Sequence, residues 1–84
     1  MELIFLPVAW EDYLYWQKVD KKQVKRINEL IKQCLRTPFE GIEKPEALKG
    51  SLSGWWSRRI DHEHRLVYRA NENRLYILQC RYHY

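Results

Sequence analysis

The chain is poor in the residues that staple or break small folds: three Gly, three Pro and two Cys among 84 residues. Cys34 and Cys80 form no C-x-x-C pair and read as ordinary buried thiols of a reducing cytosol. The opening Met1-Glu2-Leu3-Ile4-Phe5-Leu6-Pro7 has no basic leader segment and is too short for a signal core. No apolar run approaches the length that spans a bilayer, so a cytoplasmic protein without membrane contact is expected. There is no repeat, low-complexity tract, linker, Gly-rich phosphate loop or Ser-His-Asp arrangement. Six Tyr, four Trp and two Phe make the chain too aromatic for disorder. Residues 1–84 leave room for one core, which burial stabilises only marginally, so several aromatics should be structural.

Fifteen Lys and Arg against eleven Asp and Glu leave a net charge of +4. That balance favours acidic partners such as nucleic acid, though many soluble proteins share it without binding any. Placement says more: Arg58, Arg59, Arg65, Arg69, Arg74 and Arg81 crowd the C-terminal half.

The apolar run Leu3 to Leu6 predicts a strand ended by Pro7. Pro7 suits the first turn of a helix, with Glu11 and Asp12 toward its positive end and Trp10, Tyr13, Leu14 and Gln17 along one side. Asp20 is placed to cap a second helix, and Gln23 sits where a capping-box partner belongs. Val24, Ile27, Ile31, Cys34 and Leu35 repeat at helical spacing until Thr37-Pro38 stops them. A helical hairpin is expected. A long loop, punctuated by Gly and Pro, follows from Pro38 to Gly54.

From Trp55 onward the pattern predicts an antiparallel meander with turns at Asp61-His62-Glu63 and Asn71-Glu72-Asn73. The expected class is α+β: a small twisted antiparallel sheet with the helical hairpin on one face. Three-residue turns set Ile60 opposite His64, Arg59 opposite Arg65, Leu66 opposite Leu78 and Tyr68 opposite Tyr76. Ile60, Leu66, Tyr68, Tyr76, Leu78, Cys80 and Tyr82 then face the helices, and Arg59, Arg65, Gln79, Arg81 and His83 share the other face. A slip of one residue in either turn would scramble this sorting.

Two directly opposed arginines repel unless a negative group lies between them. A bound phosphate would supply it; so would Glu40, Glu43, Glu46 or Glu63 in a surface ion-pair network. His83, flanked by Tyr82 and Tyr84, would lie on the arginine face, where an imidazole can exchange a proton near neutral pH, or would be inert there. Tyr84 can stack on a base or simply pack. His62, Glu63 and His64 match no standard zinc spacing. Lys18, Lys21, Lys22, Lys25 and Lys32 form either a contact for an acidic partner such as nucleic acid or a solvated helix face.

The segments Trp10-Glu11-Asp12-Tyr13-Leu14-Tyr15-Trp16-Gln17, Ile27-Asn28-Glu29-Leu30-Ile31-Lys32 and Arg36-Thr37-Pro38-Phe39-Glu40-Gly41 carry a resemblance. It continues through Lys44-Pro45-Glu46, Leu52-Ser53-Gly54, Trp56-Ser57-Arg58-Arg59-Ile60, Glu63-His64-Arg65-Leu66-Val67-Tyr68 and Cys80-Arg81-Tyr82-His83-Tyr84. Together, in this order, they resemble the YoeB (Txe-like) toxins of the RelE-like group over essentially the whole chain. The resemblance implies a metal-independent, cofactor-free endoribonuclease of a type II toxin–antitoxin system, which cleaves mRNA in the A site of the 70S ribosome. It also implies a YefM- or Phd-like antitoxin; whether the toxin forms a homodimer stays open. Family catalytic positions fall on Glu46, Arg65, His83 and Tyr84. Lys49 and Arg59 match positions that contact RNA phosphate, and Arg81 joins them as a cation of the same face. Glu46 is the implied base on the ribose 2′-hydroxyl and His83 the implied acid toward the leaving oxygen. Leu6-Pro7 departs from the polar helix cap common in relatives, far from these residues. A translation inhibitor that binds RNA or the ribosome without cutting is the alternative; it would not need Glu46 and His83 together.

Overall fold

The computed structural model describes residues 1–41 and 43–84. In chain order they form β1 (Glu2–Phe5), α1 (Pro7–Val19), α2 (Lys21–Arg36), β2 (Glu46–Ala47), a 3-10 turn (Gly50–Leu52), β3 (Trp56–Arg59), β4 (Arg65–Ala70) and β5 (Arg74–Gln79). The expected α+β class holds, with two helices on one face of a five-stranded sheet of order β1-β5-β4-β3-β2. Strands β2 to β5 pair antiparallel, whereas β1 joins the far edge of β5 in parallel. The helical hairpin separates β1 from the meander, and a connection of that length permits a parallel pair.

Local chemistry sets the helices. Pro7 occupies the first position of α1, where its missing N–H is no loss, and Leu6 caps it without a side-chain bond. Glu11 and Asp12 lie beyond the first turn. The Asp20 carboxylate accepts from the N–H groups of Lys22 and Gln23 and starts α2. Gln23 does not complete a capping box; its amide donates instead to Asp61 Oδ2 at 2.7 Å and ties α2 to the β3–β4 turn. The apolar stripe of α2 buries Ile27, Leu30, Ile31 and Cys34, packed with Ala9 and Trp16 of α1 against Ile60, Leu66, Tyr68, Leu75, Ile77 and Cys80.

The second hairpin departs from the expected register. Asn71 N–H bonds Arg74 O at 3.0 Å, and Asn71 Oδ1 accepts from Asn73 N and Arg74 N. That Asx turn leaves a loop of Glu72 and Asn73 rather than three residues. Tyr68 therefore lies opposite Ile77, and Leu75 and Ile77 point inward where Tyr76 and Leu78 were expected. Between Val67 and Tyr68 the register shifts, since Val67 faces Gln79, and Leu78 becomes the extra residue of a bulge. The bulge returns Cys80 to the core. Strand β5 ends at Gln79, so Tyr82 leaves the sheet and is exposed rather than inward-facing.

Candidate active site

The first hairpin keeps its expected register, with Arg59 directly opposite Arg65. Asp61 organises the turn. Its Oδ1 accepts from Glu63 N at 2.8 Å and His64 N at 2.7 Å. Partial burial works the other way, but these bonds and the one from Gln23 hold its carboxyl below its ordinary value. The Arg65 guanidinium is aimed by the same turn: Nη1 donates to Asp61 O at 2.6 Å and His64 O at 3.1 Å.

Glu46 reaches this face through two residues of strand hidden in what the sequence presents as a loop. In β2 it pairs with Ser57 of β3, two residues from Arg59 and on the same side. An open basin of about 450 Å³ results, lined by Glu43, Lys44, Glu46, Ser57, Arg59 and Arg65. Among the described residues no carboxylate forms an ion pair with Arg59 or Arg65: Glu43 is taken by Arg26 at 2.6 Å, and Glu63 lies 3.6 Å from His64. The basin thus holds two opposed guanidinium groups, the Lys44 ammonium, and the carboxylates of Glu43, which is paired with Arg26, and Glu46, a set that can bind a phosphate and accept a proton beside it.

The chain end approaches the basin after a bend. Cys80 is clamped first: its N–H donates to Asp12 Oδ2 at 3.0 Å, and its carbonyl accepts from Trp16 Nε1 at 2.8 Å. Burial raises the Asp12 carboxyl above its ordinary value, against the pull of the Cys80 N–H and Arg81. Tyr82 then adopts φ +66°, a left-handed conformation that costs a bulky residue about 1 kcal/mol or more. Beyond it the Tyr84 hydroxyl lies 3.3 Å from Ser57 Oγ, in the floor of the basin. His83 is exposed, its ring centroid 4.9 Å from that of Tyr84.

Glu46, Arg59 and Arg65 are therefore brought together; Tyr84 reaches Ser57 and His83 packs against the Tyr84 ring, both outside the lining itself. Lys49 and Arg81 are not part of the lining. Lys49 is exposed at the start of the 3-10 turn. The Arg81 guanidinium sits 3.5 Å above the Tyr15 ring of α1, away from the face it was expected to share with Arg59. His62 and His64 do not converge either, since His62 is exposed and His64 is buried under Trp16.

Arg58 is the cation that charge counting misjudges. Fully buried, it donates from Nε to the Tyr68 hydroxyl at 3.2 Å, and from Nη2 to Thr37 O and to Glu40 O at 2.9 Å. The Tyr68 hydroxyl donates onward to Pro38 O at 2.5 Å. This network fastens the start of the loop that carries Glu46. Gly41 completes it: at φ +107°, an added Cβ would stand 3.2 Å from Thr37 Oγ1. Strand alternation carried the signal, because an inward Ile60 and outward Arg59 require an inward Arg58. Ser57, Lys44 and Asp12 were also missed, and only the fold brings them to the basin or the chain end.

A compact α+β protein with an arginine-lined basin on its open sheet face and its C-terminus folded toward that basin is the class defined so far. The family model of the YoeB-like toxin of bacterial type II toxin–antitoxin systems matches residues 5–84. Toxin YoeB of Escherichia coli K12 is 62% identical over 84 residues, covering all of both chains. A YoeB/ParE toxin from Agrobacterium tumefaciens superimposes with a TM-score of 0.95 at 50% identity, again covering both chains in full. The YoeB–YefM heterotetramer from Staphylococcus aureus contains a chain with a TM-score of 0.91 and 54% identity, covering 100% of this chain and 98% of that one. The chain belongs to the YoeB-like toxins of bacterial type II toxin–antitoxin systems.

Proposed function

We propose that this toxin is a metal-independent endoribonuclease that cuts mRNA in the ribosomal A site and so stops translation. The observation that carries the reading is the opposed pair Arg59 and Arg65, free of carboxylate partners among the described residues, with Glu46 on the same face. In the reaction, Glu46 takes the proton of a ribose 2′-hydroxyl. The 2′-oxygen attacks the adjacent phosphorus, the bond to the 5′-oxygen breaks, and His83 supplies the proton that the leaving oxygen needs. A 2′,3′-cyclic phosphate and a 5′-hydroxyl are the products. Arg65, held by two backbone carbonyls, stabilises charge on the phosphorane without reorganising, and Arg59 assists. Tyr84 positions or stacks on a nucleotide, and Lys49 contacts an RNA phosphate at the margin. The mRNA is aligned by the 70S ribosome, which accounts for how so small a basin achieves in-line geometry.

The partner is a YefM-like antitoxin, as in the complex of the Staphylococcus aureus relative, and a homodimer is supported by the dimer solved for that same relative. The protein works in the bacterial cytoplasm, in keeping with the lack of any helix long and apolar enough to cross a membrane among the described residues.

Cleavage of a defined mRNA on purified 70S ribosomes, mapped by primer extension, tests the reading. The expected result is cuts in the A-site codon that need ribosomes and fall about 100-fold or more in His83→Ala and Glu46→Gln. Arrested translation on intact mRNA would replace the nuclease with a non-cutting ribosome binder.

A further inference from the structure

The bend at Tyr82 is gripped by two consecutive residues at the start of β4. Arg65 N donates to Tyr82 O at 3.0 Å, and Tyr82 N donates to His64 Nδ1 at 2.7 Å. Among the described residues, His64 is the only side chain bonded to the Tyr82 backbone. A backbone N–H can only donate, so Nδ1 must present its lone pair; the ring proton then sits on Nε2, toward Glu63 Oε1 at 3.6 Å. The ring has little freedom to do otherwise. It is 8% exposed and meets the Trp16 indole edge-on, with centroids 4.9 Å apart. A left-handed tyrosine persists only where its surroundings over-determine it, and this one redirects the chain so that Tyr84 reaches Ser57.

We propose that His64 is a positioning residue for the reaction: by accepting the Tyr82 N–H at Nδ1, it fixes the bend that brings Tyr84 to Ser57 of the Arg59–Arg65 basin, with His83 against the Tyr84 ring. Its activity arm rests on the endonuclease reading above; its structural arm does not. Asn offers an oxygen close to the Nδ1 position that can only accept. Leu fills similar space with no acceptor.

The test compares wild type, His64→Leu and His64→Asn by Tyr82 amide hydrogen exchange and by mRNA cleavage on 70S ribosomes. In H64L the Tyr82 amide should exchange about tenfold faster or more, and kcat should fall by a similar factor with KM little changed. H64N should restore both most of the way. Wild-type protection of Tyr82 in H64L would overturn the proposal. So would an H64N variant as impaired as H64L, which would assign His64 to packing against Trp16 alone. Should H64L fail to fold, His64→Gln replaces it, because its amide groups lie one bond beyond Nδ1 and leave the Tyr82 N–H unmet. If wild type itself fails to cut, the nuclease reading falls, and the Tyr82 amide still decides the role of His64.

Discussion

Replacing Arg58 with Met should cost stability rather than RNA contact. Among the described residues the guanidinium donates to Tyr68 Oη, Thr37 O and Glu40 O. Bonds from a charged donor contribute about 1.5–3 kcal/mol each, so the gross loss is on the order of 5–9 kcal/mol. Against it stands the desolvation of a buried cation, which Met abolishes while filling part of the volume. A net destabilisation of about 2–4 kcal/mol follows, a large fraction of the roughly 4–13 kcal/mol available to a domain of this length. With a urea dependence of about 1–2 kcal/mol per molar, the unfolding midpoint should drop by roughly 2 M. Amide exchange should quicken first from Thr37 to Gly41, the segment whose Thr37 and Glu40 carbonyls Arg58 pins. Arg58→Lys should fall between, because an ammonium cannot match a planar fork spanning these acceptors. A midpoint within about 0.3 M of wild type, with a loss of mRNA cleavage instead, would refute this reasoning and make Arg58 an RNA-binding cation.

Asp20→Ala removes the acceptor for two N–H groups at the start of α2 and should cost about 1 kcal/mol, lowering the melting temperature by about 4–8 °C; an unchanged melting curve would mean that packing alone starts this helix. Alkaline pH should unfold the protein early. Burial pushes the thiols of Cys34 and Cys80 from 9.0 up to about 11 and about 12, and the Tyr68 phenol from 10.0 up to about 12. These folded values exceed the unfolded ones, so the stabilisation is complete below about pH 9 and is lost as pH climbs toward 11–12. Urea midpoints measured at about pH 8 and about pH 10.5 should differ clearly, and equal midpoints would show that these groups ionise freely in the native state.

The sequence by itself determined whatever depends on near neighbours. Helix α2 lies between an Asp20 cap and a Thr37-Pro38 stop, because capping and proline act within a turn of the chain. The turn Asp61-His62-Glu63 placed Arg59 against Arg65 because a tight hairpin fixes its own register. The resemblance of the whole chain supplied Glu46, which no local rule picks out. The second hairpin failed on a single detail, Asn71 closing a shorter turn, and the Leu78 bulge then corrected the strand beyond it. Tertiary structure alone decided the remainder: the parallel docking of β1, the stacking of Arg81 on Tyr15 and the bend at Tyr82. Each depends on a partner far away along the chain, as when Asp12 receives the N–H of Cys80, and such pairings form only once the core has brought distant segments together.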